Sequence, residues 1–188
     1  MLARCAVVTF LEFAPLYRIR ELRRNKSVLP RERGVYGLFF DLAPGIAPAK
    51  GCLTRDGLTL LYVGTAGADL TKGGNLRNRL GDHHLGGNER RSTVCQTLAA
   101  LMPELAGPCV QKLERGNLKF HTSRDGAARI RNWMDEHVSV CWALDPQPGK
   151  TEKELIAQLL LPLNLDHNSH HPFALELGRL RETRRATA

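Results

Sequence analysis

GVYGLFF (34–40) and LTLLYVG (58–64) are the two runs on which the fold turns. Both are rich in β-branched and aromatic residues, which suit a pleated, half-buried surface, so each is expected to be a strand. Each also holds a tyrosine and a glycine. A glycine weakens a strand interior unless something has to approach the backbone there. Between them lies DLAPGIAPAKGCLTRDG (41–57), with three glycines and two prolines, which reads as loop. Hairpin loops usually have about 2–5 residues, so this connection is a hairpin enlarged by an inserted loop. A third run, VSVCWAL (138–144), alternates Val138, Val140, Trp142 and Leu144 with small residues and predicts a strand with one apolar face.

The helices follow from caps and periodicity. In NLRNRLGDHHLGG (75–87), Asn75 suits an N-cap and Gly86-Gly87 a stop. Leu76, Leu80 and His83 fall at i, i+4 and i+7, with Arg79 at i+3, so all four share one face of an α-helix. STVCQTLAALM (92–102) is a helix capped by Ser92 and halted before Pro103, and SRDGAARIRNWMDEH (123–137) is another. Residues 103–122 give no clear pattern. TEKELIAQLLLPLN (151–164) has a T-x-x-E capping box in Thr151 and Glu154, an apolar stripe of Leu155, Ile156, Leu159 and Leu160, and a stop at Pro162. The order β-β-α-α-α-β-α predicts an α/β (α+β) domain: a small three-stranded, mainly antiparallel sheet flanked by helices, with a helical insertion at about 88–136. A basic lead-in (1–30) and a basic tail (173–188) flank the core at 31–172.

At 188 residues one domain is expected, long enough to bury a core without disulfides. No stretch of 18 apolar residues occurs, so no membrane span is expected, and the apolar run Cys5–Leu11 lacks the small-residue cleavage site of a signal peptide. The five cysteines are odd in number and contain no CxxC pair. That pattern argues against a disulfide framework or zinc ribbon and fits free thiols in the cytoplasm. Lys plus Arg number 27 against 19 acids, giving a net charge of +8, and 20 of the 27 are arginine. The guanidinium fork matches phosphate geometry. Seven basic residues against two acids between Tyr17 and Gly34, and the tail GRLRETRRA, point to a polyanionic partner, DNA or RNA.

Taken singly, the polar residues among these elements have ordinary readings. Tyr36 and Tyr62 suit half-buried strand aromatics. Arg79 suits a snorkelling side chain and His83 a satisfied core histidine. Asn164 suits a turn, and Glu152 an exposed acid in the first turn of its helix or, alternatively, a metal ligand. DHNSHH (166–171) holds three histidines in a polar loop, at a spacing that fits no standard zinc pattern.

Taken in order, the pieces resemble a known family. The chain reads G-V-Y, then Y-V-G, then N-L-R-N-R with a histidine four after the second arginine, then E-x-x-L-I, then P-L-N. This resembles the GIY-YIG nuclease superfamily over about 31–84 and 137–166. Valine replaces isoleucine in both tripeptides, which keeps a β-branched residue in each strand. The resemblance implies a catalytic set of Tyr36, Tyr62, Arg79, His83, Glu152 and Asn164, with Glu152 on a single Mg²⁺ or Mn²⁺. Mg²⁺ commonly keeps several waters and takes one or two carboxylates, so one protein ligand suffices. It also implies that Arg79 holds the phosphate and that Tyr36 accepts a proton from the attacking water, with Tyr62 and His83 tuning or relaying it. A phenol has a pKa of about 10, so Arg79 and the ion have to lower that of Tyr36. The chain departs from the family in its long loop between the tyrosine strands and in the insertion before the third strand. Lys72, in the loop before the Arg79 helix, has no secure counterpart. The implied activity is metal-dependent endonucleolytic hydrolysis of DNA. The alternative is a nucleic-acid-binding module of the same fold without turnover.

Overall fold

The computed structural model describes residues 9–41, 45–69, 74–84, 92–114 and 117–186; the side chains of His83 and of residues 112–120 lie outside that description. Lys72 and the N-terminal residues before Thr9 also fall outside it. The elements are α1 (Thr9–Phe13), β1 (Tyr17–Arg18), α2 (Ile19–Arg24), β2 (Gly34–Phe40), β3 (Thr54–Arg55), β4 (Leu58–Ala66), a π-helix (Arg77–His84), α3 (Thr93–Leu101), α4 (Pro103–Ala106), β5 (Cys109–Glu114), β6 (Asn117–Thr122), α5 (Arg124–His137), β7 (Val138–Leu144), α6 (Pro148–Gln158) and α7 (Ala174–Ala186).

The fold is α+β, with one main sheet in the order β1-β7-β2-β4-β3. Every neighbouring pair is antiparallel. The sheet has five strands, not the expected three. The two additions are edge strands of two residues each, too short to carry the alternation by which a strand is read from sequence. The insertion is not wholly helical either: β5 and β6 form a separate hairpin. Apolar residues Cys109, Val110 and Leu113 do not keep to alternate positions there, which hides the period of two.

Both faces of the sheet are covered. On one, Tyr36, Leu38, Phe40, Tyr62 and Val140 pack against side chains of α2, α3 and α5, including Leu22, Leu98 and Met134. On the other, Phe39, Leu60, Val63 and Cys141 pack against Leu11 of α1 and Leu155 and Ile156 of α6. Strand β2, central to this sandwich, is buried at all seven positions. At Gly37 a Cβ would overlap the Leu11 side chain, so the glycine lets α1 seat directly on the strand. The basic tail is a helix, α7, packed on α3. Among the described residues no helix is long and apolar enough to cross a membrane.

The helix that carries Glu152 begins earlier than expected. Pro148 occupies its first turn after Gln147, a position where a missing N–H costs nothing. Thr151 and Glu154 therefore lie inside the helix and form no capping box. Glu154 pairs instead with Lys150, 3.9 Å away at i, i+4.

Candidate active site

The site starts from the register of β2 on β4. Tyr36 lies opposite Gly64, and Leu38 lies opposite Tyr62, so both phenols project from the same face of the sheet. The ladder then shifts: Phe39 pairs with Leu60, leaving Leu61 as the extra residue of a β-bulge. A Cβ at position 64 would overlap the Tyr36 hydroxyl. The glycine of the Y-V-G run is thus the space into which the tyrosine of the G-V-Y run extends. The two rings lie 6.3 Å apart, centroid to centroid.

The π-helix supplies the next two groups. Asn75 caps it, its Oδ1 accepting from the Asn78 N–H at 2.9 Å. A π-helix bonds i to i+5, so its turn is wider than that of an α-helix. The buried face includes Leu76, Leu80 and His84, all fully buried. His84 Nε2 lies 2.7 Å from the Tyr36 hydroxyl, and its Nδ1 lies 2.6 Å from Ser92 Oγ. Ser92 in turn caps α3 by accepting from the Cys95 N–H at 3.2 Å. The histidine that meets Tyr36 is therefore His84. His83 contributes backbone to the same helix, and its side chain lies outside the described set. The sequence signal for His84 was present in the adjacent pair of histidines, but α-helical spacing selects the other one.

Arg79 projects from this helix into the cleft, close enough to the two phenols to interact electrostatically with both. Their charges hold its pKa above the ordinary value. Tyr36 is fully buried, and Tyr62 is 5% exposed. Burial raises both pKa values, that of Tyr62 well above a free phenol, and Arg79 pulls each the other way without prevailing. The expected lowering of Tyr36 is thus not what the protein groups alone produce: desolvation outweighs the guanidinium. Tyr62 rather than Tyr36 lines the open cleft, together with Thr65, Arg79, Thr93, Glu152, Asn164 and Asp166.

Glu152 enters from the opposite side, on α6. Its carboxylate lies 3.5 Å from Thr65 Oγ1. Desolvation pushes its pKa up to about 7, with Asp166 adding to the rise and Arg79 opposing it. A partly buried carboxylate with a second one nearby is suited to a divalent cation. Among the described residues no three His, Cys, Asp or Glu side chains come together as a metal cluster. The donor set therefore suits a hard, largely hydrated ion held by one or two carboxylates, the Mg²⁺ or Mn²⁺ pattern, better than a zinc cage. His167 lines the same cleft, whereas His171 accepts the Phe173 N–H at 3.1 Å.

Asn164 lines the cleft, and its side-chain amide pairs with the backbone of Val63. Its Oδ1 accepts the Val63 N–H at 3.0 Å, and its Nδ2 donates to the Val63 carbonyl at 2.9 Å. The Leu163 N–H adds a bond to the Leu61 carbonyl at 3.1 Å. This segment closes the free edge of β4 beyond the short β3 and carries Asp166 and His167 to the cleft.

The structure thus gathers Tyr36, Tyr62, Arg79, Glu152 and Asn164 into one region, with His84 and Ser92 behind the phenols. The family model described as GIY-YIG catalytic domain matches residues 34–183, and the chain belongs to that family. No curated protein and no solved structure matches the chain. Membership points to nuclease chemistry in general, and so to a nucleic-acid substrate.

Proposed function

We propose that the protein is a metal-dependent endonuclease that hydrolyses phosphodiester bonds in DNA at the cleft between the π-helix and α6. The observation that carries this reading is the line of polar groups leading inward from the cleft: Tyr62 at the cleft, Tyr36 with its ring 6.3 Å behind, and His84, whose Nε2 lies 2.7 Å from the Tyr36 hydroxyl.

That line answers the high pKa of the phenols. As Tyr62 accepts a proton from the attacking water, it passes its own to Tyr36, and Tyr36 passes its own to His84 Nε2. The charge left behind is an imidazolium, so neither phenolate has to persist. The transfer needs the His84 tautomer with its proton on Nδ1, donated to Ser92 Oγ, which has lone pairs for this and for the Cys95 N–H. Arg79 holds a phosphoryl oxygen through its fork and stabilises the negative charge that develops there. Glu152, with Asp166 beside it, would hold a single Mg²⁺ or Mn²⁺. When bound, that ion adds Lewis-acid stabilisation at the phosphoryl group. Asn164 acts as a positioning residue, fixing the segment that carries Asp166. The four described free thiols, Cys52, Cys95, Cys109 and Cys141, support a reducing, cytoplasmic setting.

The test is nicking of supercoiled plasmid DNA with and without Mg²⁺ or Mn²⁺, run beside an RNA of equal length. Metal-dependent nicking that disappears in Glu152→Ala and Arg79→Ala is the expected result. Nicking that survives either change removes the site assignment, and salt-sensitive binding without cleavage of any substrate points to a module that has lost turnover.

A further inference from the structure

A second polar hollow borders the same helix, α3, as the cleft. Thr93 of α3 lines the cleft, and Gln96 of the same helix lines the hollow, a step of about 5 Å along the axis. Its other walls include His121 and Thr122 from the end of β6 and Arg181, Arg184 and Arg185 from α7. None of these side chains carries a negative charge. The three arginines fall at i, i+3 and i+4, which places them on one face of α7.

The forks are oriented rather than loose. Arg181 Nη2 donates to Gln96 Oε1 at 3.0 Å, while Arg184 donates to the Gly107 carbonyl at 2.9 Å and to Thr122 Oγ1 at 3.4 Å. Burial lowers the pKa of Arg181, the like charge of Arg185 adds to that, and Asp166 at the cleft acts the other way. Guanidinium groups gathered in a partly desolvated hollow repel one another, and an anion between them relieves that repulsion. The planar fork favours phosphate, because it gives two parallel N–H bonds to one tetrahedral oxyanion.

We propose that this hollow binds a backbone phosphate of the substrate strand close to the phosphate at the cleft. The site would fix the register of the strand over Tyr62, Arg79 and Glu152. The insertion and the C-terminal helix would then serve substrate positioning, which the catalytic groups alone do not provide. The proposal rests on the nuclease reading of the cleft.

The experiment uses the full chain and a fluorescein-labelled DNA duplex in EDTA, so that binding is read without cleavage. Kd is measured by anisotropy across a KCl series for the wild type, for Arg185→Gln, and for the double variant Arg184→Gln/Arg185→Gln. Removing one arginine–phosphate pair should flatten the slope of log K against log[KCl] by about 0.9 and raise Kd about tenfold. In Mg²⁺ the same variants should raise KM with kcat within about twofold, since the arginines would hold the strand equally in ground and transition states. A scan of duplexes with single methylphosphonate linkages keeps the test independent of folding. One position should reproduce the Arg185→Gln defect in the wild type and cost that variant nothing more. Unchanged slope, Kd and KM in folded variants, with the wild type binding and cleaving, would overturn the hollow and leave the nuclease reading standing. A wild type that neither binds nor cleaves would remove both.

Discussion

The Tyr36 hydroxyl lies 2.7 Å from His84 Nε2, and the far nitrogen of the same ring lies 2.6 Å from Ser92 Oγ. A strand residue is thereby linked to a helix cap through one imidazole, with all three side chains buried. The proposed relay and the start of α3 share one hydroxyl: Ser92 Oγ both meets the ring and satisfies an orphan N–H of α3.

The phenol relay predicts unequal effects along its length. Tyr62→Phe and Tyr36→Phe should each lower the single-turnover rate about 10²–10⁴-fold, the usual worth of a positioned proton acceptor. Ser92→Ala leaves the relay atoms in place. It should cost about 1 kcal/mol of stability through loss of the cap and reduce the rate less than either phenol change. A Tyr36→Phe variant that cleaves at the wild-type rate shows that the inner phenol and His84 carry no proton.

Arg79→Lys keeps the charge and loses the fork. A compact ammonium does not reproduce the planar set of donors that would face the phosphate, so the rate should fall about 10²–10³-fold. Recovery of most activity with lysine would mean that only the charge matters.

Glu152 gives a pH dependence with a definite sign. Its folded pKa is about 7 against an ordinary 4.5, so between these values the folded state holds a proton that the unfolded chain has released. Metal-free stability from this group therefore falls as pH rises from 4.5 to 7. Above that range the full cost remains, on the order of 2 kcal/mol once partial exposure is allowed for. Glu152→Gln should match the wild type near pH 4 and melt higher at about pH 8 in EDTA. Adding Mg²⁺ at that higher pH should raise the melting temperature of the wild type but not of the variant.

Asn164→Ala leaves the Val63 N–H and carbonyl facing the cleft without their partner. Two buried polar groups exposed in this way cost about 2–3 kcal/mol, or roughly 5–10 °C in a chain of this size. Calorimetry reads this directly, and a change under about 2 °C would show that water replaces the amide at little cost.

Gly64→Ala should disable the site through shape alone. The added methyl overlaps the Tyr36 hydroxyl and pushes that ring away from His84. Overpacking of this kind costs about 1–3 kcal/mol. The rate should fall with that of Tyr36→Phe, although no reacting group has been removed.

The three long strands were legible in the sequence because each is rich in apolar and β-branched residues, and helices α3 and α5 because Ser92 and Ser123 announce their starts. The edge strands β1 and β3 were not, since pairs such as Tyr17–Arg18 acquire strand geometry only from β7 beside them. The motif residues were legible from their order along the chain. What they touch was not: the meeting of His84 with Tyr36 depends on a π-helical winding that no local residue pattern announces, and the choice of cleft-facing phenol depends on which ring the outer layer of helices leaves accessible. Arg181, Arg184 and Arg185 read as an undifferentiated basic tail until α7 is seen folded back on α3.

The closure of β4 by Asn164 has a consequence for self-association. Beyond β3, this strand would otherwise present unpaired N–H and carbonyl groups at an open margin, a template for strand addition by a second molecule. A side-chain amide that mimics one peptide unit removes the template without adding a strand. Loss of that amide should therefore show itself in concentration-dependent aggregation as well as in lowered stability.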